Sequence, residues 1–167
     1  SMTGKPYNGE FQLPLDGFIH ADCPHYWKFG KEGETEEEFS KRMANNLEKL
    51  ILEEGADTIA GFVAEPVQGA GGVIPPSINY FDLIQPILKK YDIPLVADEV
   101  ICGFGRTGNL WGCETYNIKP DIIISSKCLT AGYFPMGAVI VNKDFADEFT
   151  SVSEDAEEFP HGFTAGG

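Results

Sequence analysis

The chain has 167 residues, a formal charge of −14 and 43% apolar residues, an ordinary globular composition long enough for one core. With 12 Lys and Arg against 26 acids it lacks the basic patch that a nucleic-acid partner requires. No run of about 18 apolar residues suggests a membrane span. The start, Ser1-Met2-Thr3-Gly4, shows no basic stretch leading into an apolar one, so no secretory signal is expected. Cys23, Cys102, Cys113 and Cys128 form no Cys-x-x-Cys pair, and His20, Cys23 and His25 fit no common zinc spacing. Reduced thiols, a cytoplasmic location and no metal are the expectation.

Residues 1 to 34 read as irregular. Thr35 and Glu38 then form the pattern of a capping box. It opens a helix with Phe39, Met43, Leu47, Leu50 and Ile51 on one stripe, ended by Gly55. An apolar run from Thr58 to Ala64 ends in Glu65-Pro66. Gly69, Gly71 and Gly72 follow and read as a turn, because no strand–glycine loop–helix with Lys-Ser/Thr accompanies them. A second helix is predicted from about Asn79 to Tyr91, with Phe81, Ile84, Ile87 and Leu88 inward and a kink at Pro86. Further apolar runs are Ile93 to Ala97, ending in Asp98-Glu99; Ile122 to Ile124, ending in Ser125-Ser126-Lys127; and Gly137 to Val141, ending at Asn142. A last helix is predicted around Asp144 to Phe149, before an acidic loop and the tail from Phe159 to Gly167. The runs are continuously apolar, as strands buried on both faces are, and a helix separates the first two. A parallel α/β sheet follows.

Three of these runs end, at the carboxyl side, in Glu65, Asp98 and Lys127. Each charge alone also fits a strand end reaching water. Together they match the place where open α/β sheets bind ligands. A lysine at the edge of a low-dielectric core has its ammonium form disfavoured, and the free amine can form a Schiff base with an aldehyde. A carboxylate at the neighbouring strand end can keep a pyridine nitrogen protonated, which makes the ring a better electron sink. Composition and spacing name no reaction beyond this.

The stretch Ala97-Asp-Glu-Val-Ile-Cys-Gly-Phe-Gly-Arg-Thr-Gly108 resembles class III aminotransferases. So do Ala64 to Gly72, Trp111-Gly112, Pro120-Asp121-Ile122, Ser126-Lys127, Leu129 to Ala138 and His161-Gly-Phe-Thr164, in order. Cys23-Pro-His-Tyr-Trp27 is similar to the branch that uses ω-amino acids or amines with pyruvate. The resemblance implies the large domain of a fold-type I pyridoxal-phosphate enzyme, three-layered with a mainly parallel sheet. Residues 1–167 would be part of that domain, with an N-terminal segment and a C-terminal small domain lying outside, and the chain alone is expected to be inactive. It implies transfer of an amino group to a keto acid, and a homodimer with shared sites. Other pyridoxal-phosphate reactions and a non-catalytic homologue are the alternatives.

Carried over by residue, Lys127 would hold the cofactor as a Schiff base and shuttle the proton. Asp98 would bond the pyridine nitrogen, and Val100 would pack on the ring. Thr164, with the backbone around Phe163, would bind the phosphate of the neighbouring subunit, and Glu65 would stand as an acid behind the ring contacts. Arg106 would tie loops together, His161 would serve packing or hydrogen bonding, and Tyr133 and Phe134 would border the site. Ile101 departs from the pattern, because many relatives carry there a Gln that bonds the cofactor's phenolic oxygen.

Overall fold

The structure, a computed structural model, describes residues 17–151. After a single turn, α1 (Tyr26–Phe29), comes the long helix α2 (Glu36–Glu54). Its start is the expected capping box: Glu38 N donates to Thr35 Oγ1 at 3.2 Å, and Thr35 N donates to Glu38 Oε2 at 2.8 Å. Two otherwise orphaned donors are satisfied in this way. Gly55, at φ 89°, ends the helix in a conformation that costs a residue with a Cβ. The buried face is Phe39, Ser40, Met43, Ala44, Leu47 and Ile51; Leu50, placed on this stripe by periodicity, is only half-buried.

The run from Thr58 to Ala64 is not extended throughout. Ala56–Thr58 form a 3-10 turn, and β1 is limited to Phe62–Ala64. Thr58 Oγ1 bonds the carbonyls of Glu54 and Gly55 at 3.1 and 2.8 Å, a local alternative to sheet pairing. Helix α3 (Tyr80–Lys90) starts after Asn79, itself left-handed at φ 58°, and runs unbroken through Pro86. It buries Tyr80, Phe81, Ile84 and Leu88 against α2 and the sheet, and Ile87 is half-buried.

The other strands are β2 (Leu95–Asp98), β3 (Ile122–Ser125) and β4 (Ala138–Val141), with the short helix α4 (Gly112–Thr115) before β3 and α5 (Lys143–Ser151) after β4. The sheet order is β1-β2-β3-β4. β1, β2 and β3 are parallel, with Ala64 beside Ala97 and Asp98 beside Ile124. β4 returns antiparallel to β3, pairing Ser125 with Ala138. A parallel β4 would need a crossover helix, and only a 3-10 turn (Lys127–Leu129) lies between the two strands.

Leu95 and Ala97 face the helices, as does Ile123. By alternation Val96, Asp98, Ile122 and Ile124 face the other way. Of the three layers expected, the described residues supply two: the sheet, and the α2–α3 layer on one of its faces.

Candidate active site

Glu65 follows β1, Asp98 closes β2 and Lys127 stands two residues beyond β3, so adjacent parallel strands deliver all three at their carboxyl ends. The charges of Asp98 and Lys127 both reach Glu65. Burial pushes the Glu65 carboxyl above the usual carboxylate range; the Gly69 N–H, donating to Oε2 at 2.8 Å, pulls it down, the charge of Asp98 raises it and that of Lys127 lowers it. Asp98 is half-buried, and its Oδ1 accepts from Val100 N at 3.0 Å, which fixes the carboxylate against its own strand end.

Lys127 lies at φ 44°, a left-handed conformation that a non-glycine residue adopts under strain. Its turn is pinned on both sides. Ser126 Oγ donates to the Met136 carbonyl at 3.0 Å, Leu129 N to the Ser126 carbonyl at 2.9 Å, and Thr130 Oγ1 to the Phe134 carbonyl at 2.5 Å. Among the described residues Lys127 is exposed.

The glycine segment is a turn. Gln68 and Ile74 pair across it through both backbone bonds, at 3.0 and 2.9 Å. Ile101 lies directly on it: a Cβ at Gly69 would come within 2.4 Å of Ile101 Cδ1. The residue that departs from the family pattern thus packs on the turn whose N–H holds Glu65. Val100 is half-buried beside Asp98. Arg106 Nη2 reaches Cys128 Sγ at 3.7 Å, joining its loop to the lysine turn. Phe104 packs on Trp111 with centroids 5.1 Å apart, while Tyr133 is exposed. His161, Phe163 and Thr164 lie outside the described residues.

Sequence reasoning passed over Glu99. It is 1% exposed, and its oxygens accept from Gly112 N at 2.9 Å and Cys113 N at 2.7 Å. Burial and the neighbouring Glu99 carboxylate push the Cys113 thiol upward, so it stays a thiol. The signal was present as an acid directly after a strand, where alternation turns it under the sheet. A groove at the other end of the strands, lined by Leu95, Asp121 and Asn142, contains none of the three charges. Among the described residues no group of three His, Cys, Asp or Glu is placed to hold a metal, and no helix is long and apolar enough to cross a membrane.

The sequence pattern of the family described as "Aminotransferase class-III" matches residues 1–167. The gamma aminobutyrate transaminase 3, chloroplastic, of Solanum lycopersicum is 57% identical over the whole chain, which spans 32% of that protein. An omega-aminotransferase from Paracoccus denitrificans superposes with a TM-score of 0.93 and 68% identity over 99% of this chain and 37% of its own. A PLP-bound aminotransferase mutant from Vibrio fluvialis gives a TM-score of 0.92 and 65% identity over 98% of this chain and 36% of its own. The chain therefore spans about a third of the length of these relatives. Its mostly parallel sheet is part of the fold-type I aminotransferase arrangement, and the chain belongs to the class-III aminotransferase family.

Proposed function

We propose that the protein is a pyridoxal-phosphate-dependent transaminase that moves an amino group from an ω-amino acid or amine to a keto acid, pyruvate first among them. The observation that carries this reading is the meeting of Lys127, Asp98 and Glu65 at three neighbouring strand ends in a chain alike along its whole length to a PLP-bound relative. On this reading residues 1–167 are part of the cofactor-binding large domain, and the enzyme works as a homodimer. Thr164 and the backbone at Phe163 would serve the phosphate of the neighbouring subunit.

The donor set fits the cofactor: a primary amine to bond its aldehyde carbon and a carboxylate one strand away for its ring nitrogen. When bound, the cofactor supplies an electron sink for the charge that develops at the donor's carbon. Asp98, steadied by the Val100 N–H, would keep a proton on the pyridine nitrogen. Lys127 Nζ would anchor the cofactor and would serve as the general base that takes and returns a proton. Val100 would pack on the ring. Ile101 makes the wall beside Gly69 apolar, so the ring oxygen would have to be held by groups other than this side chain.

The test is the visible absorption of the full-length protein with pyridoxal phosphate, followed by borohydride reduction and peptide mapping. A yellow band and a label on Lys127 are expected, with alanine formed from pyruvate and an amine. Lys127→Ala should lose the label and lower turnover by about 10³-fold or more. No band, or a label on another lysine, rejects the reading. Label without alanine moves the protein to another pyridoxal-phosphate reaction.

A further inference from the structure

We propose that Glu99 is a positioning residue for Asp98: a carboxylate buried beneath the sheet sets the peptide that holds the functional carboxylate above it. This rests on the role proposed for Asp98. Every polar atom of Glu99 is engaged, and together they tie three parts of the fold. Its backbone N donates to the Ile124 carbonyl of β3 at 2.8 Å, and its carbonyl accepts from Gly103 N at 2.9 Å. Its two side-chain oxygens accept from Gly112 and Cys113 at the start of α4. The surroundings are packed to the limit. A Cβ at Gly112 would lie 2.8 Å from Cys102 Cβ and 2.9 Å from Pro66 Cβ, and one at Gly103 would lie 2.8 Å from the Glu99 carbonyl. Pro66 follows Glu65, so the same knot also joins the strand end that carries the second acid.

The strand's alternation sends Asp98 and Glu99 to opposite faces. The peptide that follows Glu99 carries the Val100 N–H, and that N–H is the donor to Asp98 Oδ1. The peptide is held at its carbonyl by Gly103 N, its Cα is pinned through the buried side chain, and its N–H is used from above by Asp98. A carboxylate is a costly way to fill a core position, and an apolar side chain of similar volume would fill it at less cost. What it adds is two aimed acceptors that fix the peptide's orientation. A glutamine has one acceptor and one NH₂ group; at least one of the two backbone donors would then face another donor.

The experiment uses the full-length protein as Glu99→Gln and Glu99→Asp, with Cys113→Ala as a control that disturbs the same knot but leaves both N–H bonds. Amide hydrogen exchange is read without cofactor, and pyridoxal-phosphate affinity and band position with it. Glu99→Gln should speed exchange at Val100 by about tenfold while leaving the Leu47 and Ile84 amides unchanged. It should weaken cofactor binding by about tenfold or more and shift the band, with Glu99→Asp between it and wild type. Cys113→Ala should leave both readouts within about twofold of wild type, because both backbone N–H bonds to the Glu99 carboxylate remain although the thiol's own bond is lost. A folded Glu99→Gln with unchanged Val100 exchange and cofactor affinity overturns the proposal. Failure of both Glu99 variants to fold also overturns it and assigns Glu99 to the fold alone. If wild type takes up no cofactor while Glu99→Gln still frees the Val100 amide, the proposed function fails and the clamp on Asp98 stands.

Discussion

Beneath β1 and β2, helices α2 and α3 bury Phe39, Met43, Leu47, Ile84 and Leu88 to a few per cent exposure or less, together with Leu95 and Ala97 of the sheet. Along β4, at the other side of the same sheet, Val139, Ile140 and Val141 remain exposed. The first half is held by burial of apolar surface, which scales with area and needs no direction. The second is held by hydrogen bonds of fixed geometry. Asp121 alone joins three strands there: Oδ2 accepts from Leu95 N at 2.8 Å, Oδ1 from Asn142 Nδ2 at 2.9 Å, and its carbonyl from Asn142 N at 2.8 Å. Lys127 belongs to this second half. The buried core and the amine proposed to react thus sit on different sides of β2, and Asp98 stands between them.

Substitutions in the two halves should therefore differ sharply. Phe39→Ala empties a fully buried site beneath the sheet, and a loss of about 3–5 kcal/mol is expected. Val139→Ala, at a residue 68% exposed, should stay within about 0.5 kcal/mol. Denaturant unfolding of the 167-residue chain reads both. Equal losses would mean that burial holds the β4 side as well, and the contrast would collapse. Thr35→Ala lies between them. It removes the side-chain acceptor of the α2 capping box and should cost about 1 kcal/mol. Thr35→Ser keeps the acceptor and should recover most of it.

Helix α2 was readable because local and tertiary signals agree: a cap at Thr35, a stripe from Phe39 to Ile51 and a stop at Gly55. The three strand-end charges were readable because each closes an apolar run. The direction of β4 was not, since an apolar run carries no mark of its partner's orientation. The shortness of β1 escaped notice because it depends on Thr58 turning back to the α2 end. Glu99 was hidden by its neighbour: two acids in a row look like one solvated pair until the strand's alternation parts them.

The smallest expected effects concern acids, and they divide along the same line. Glu34 takes the Arg42 guanidinium on both oxygens at 2.7 Å, and Lys31 N donates to it at 2.9 Å. The hydrogen bonds from Arg42 hold its carboxyl down at about 2, against an ordinary 4.5. A depressed folded value contributes stability that is present above the ordinary value and lost as pH falls toward about 2. Glu65, at the candidate site, has the opposite sign. Burial raises it, so it favours the fold while protonated, and that contribution is lost as pH rises through its elevated value. Unfolding midpoints of Glu34→Gln, Glu65→Gln and wild type between neutral pH and the acid limb should separate the two. Glu34→Gln should be less stable than wild type near neutrality and converge with it as pH falls. Glu65→Gln should gain on wild type as pH rises. If both differences run the same way, Glu65 is held as a structural acid like Glu34, and the division between a clamped scaffold and a site that works against its own stability fails at that residue.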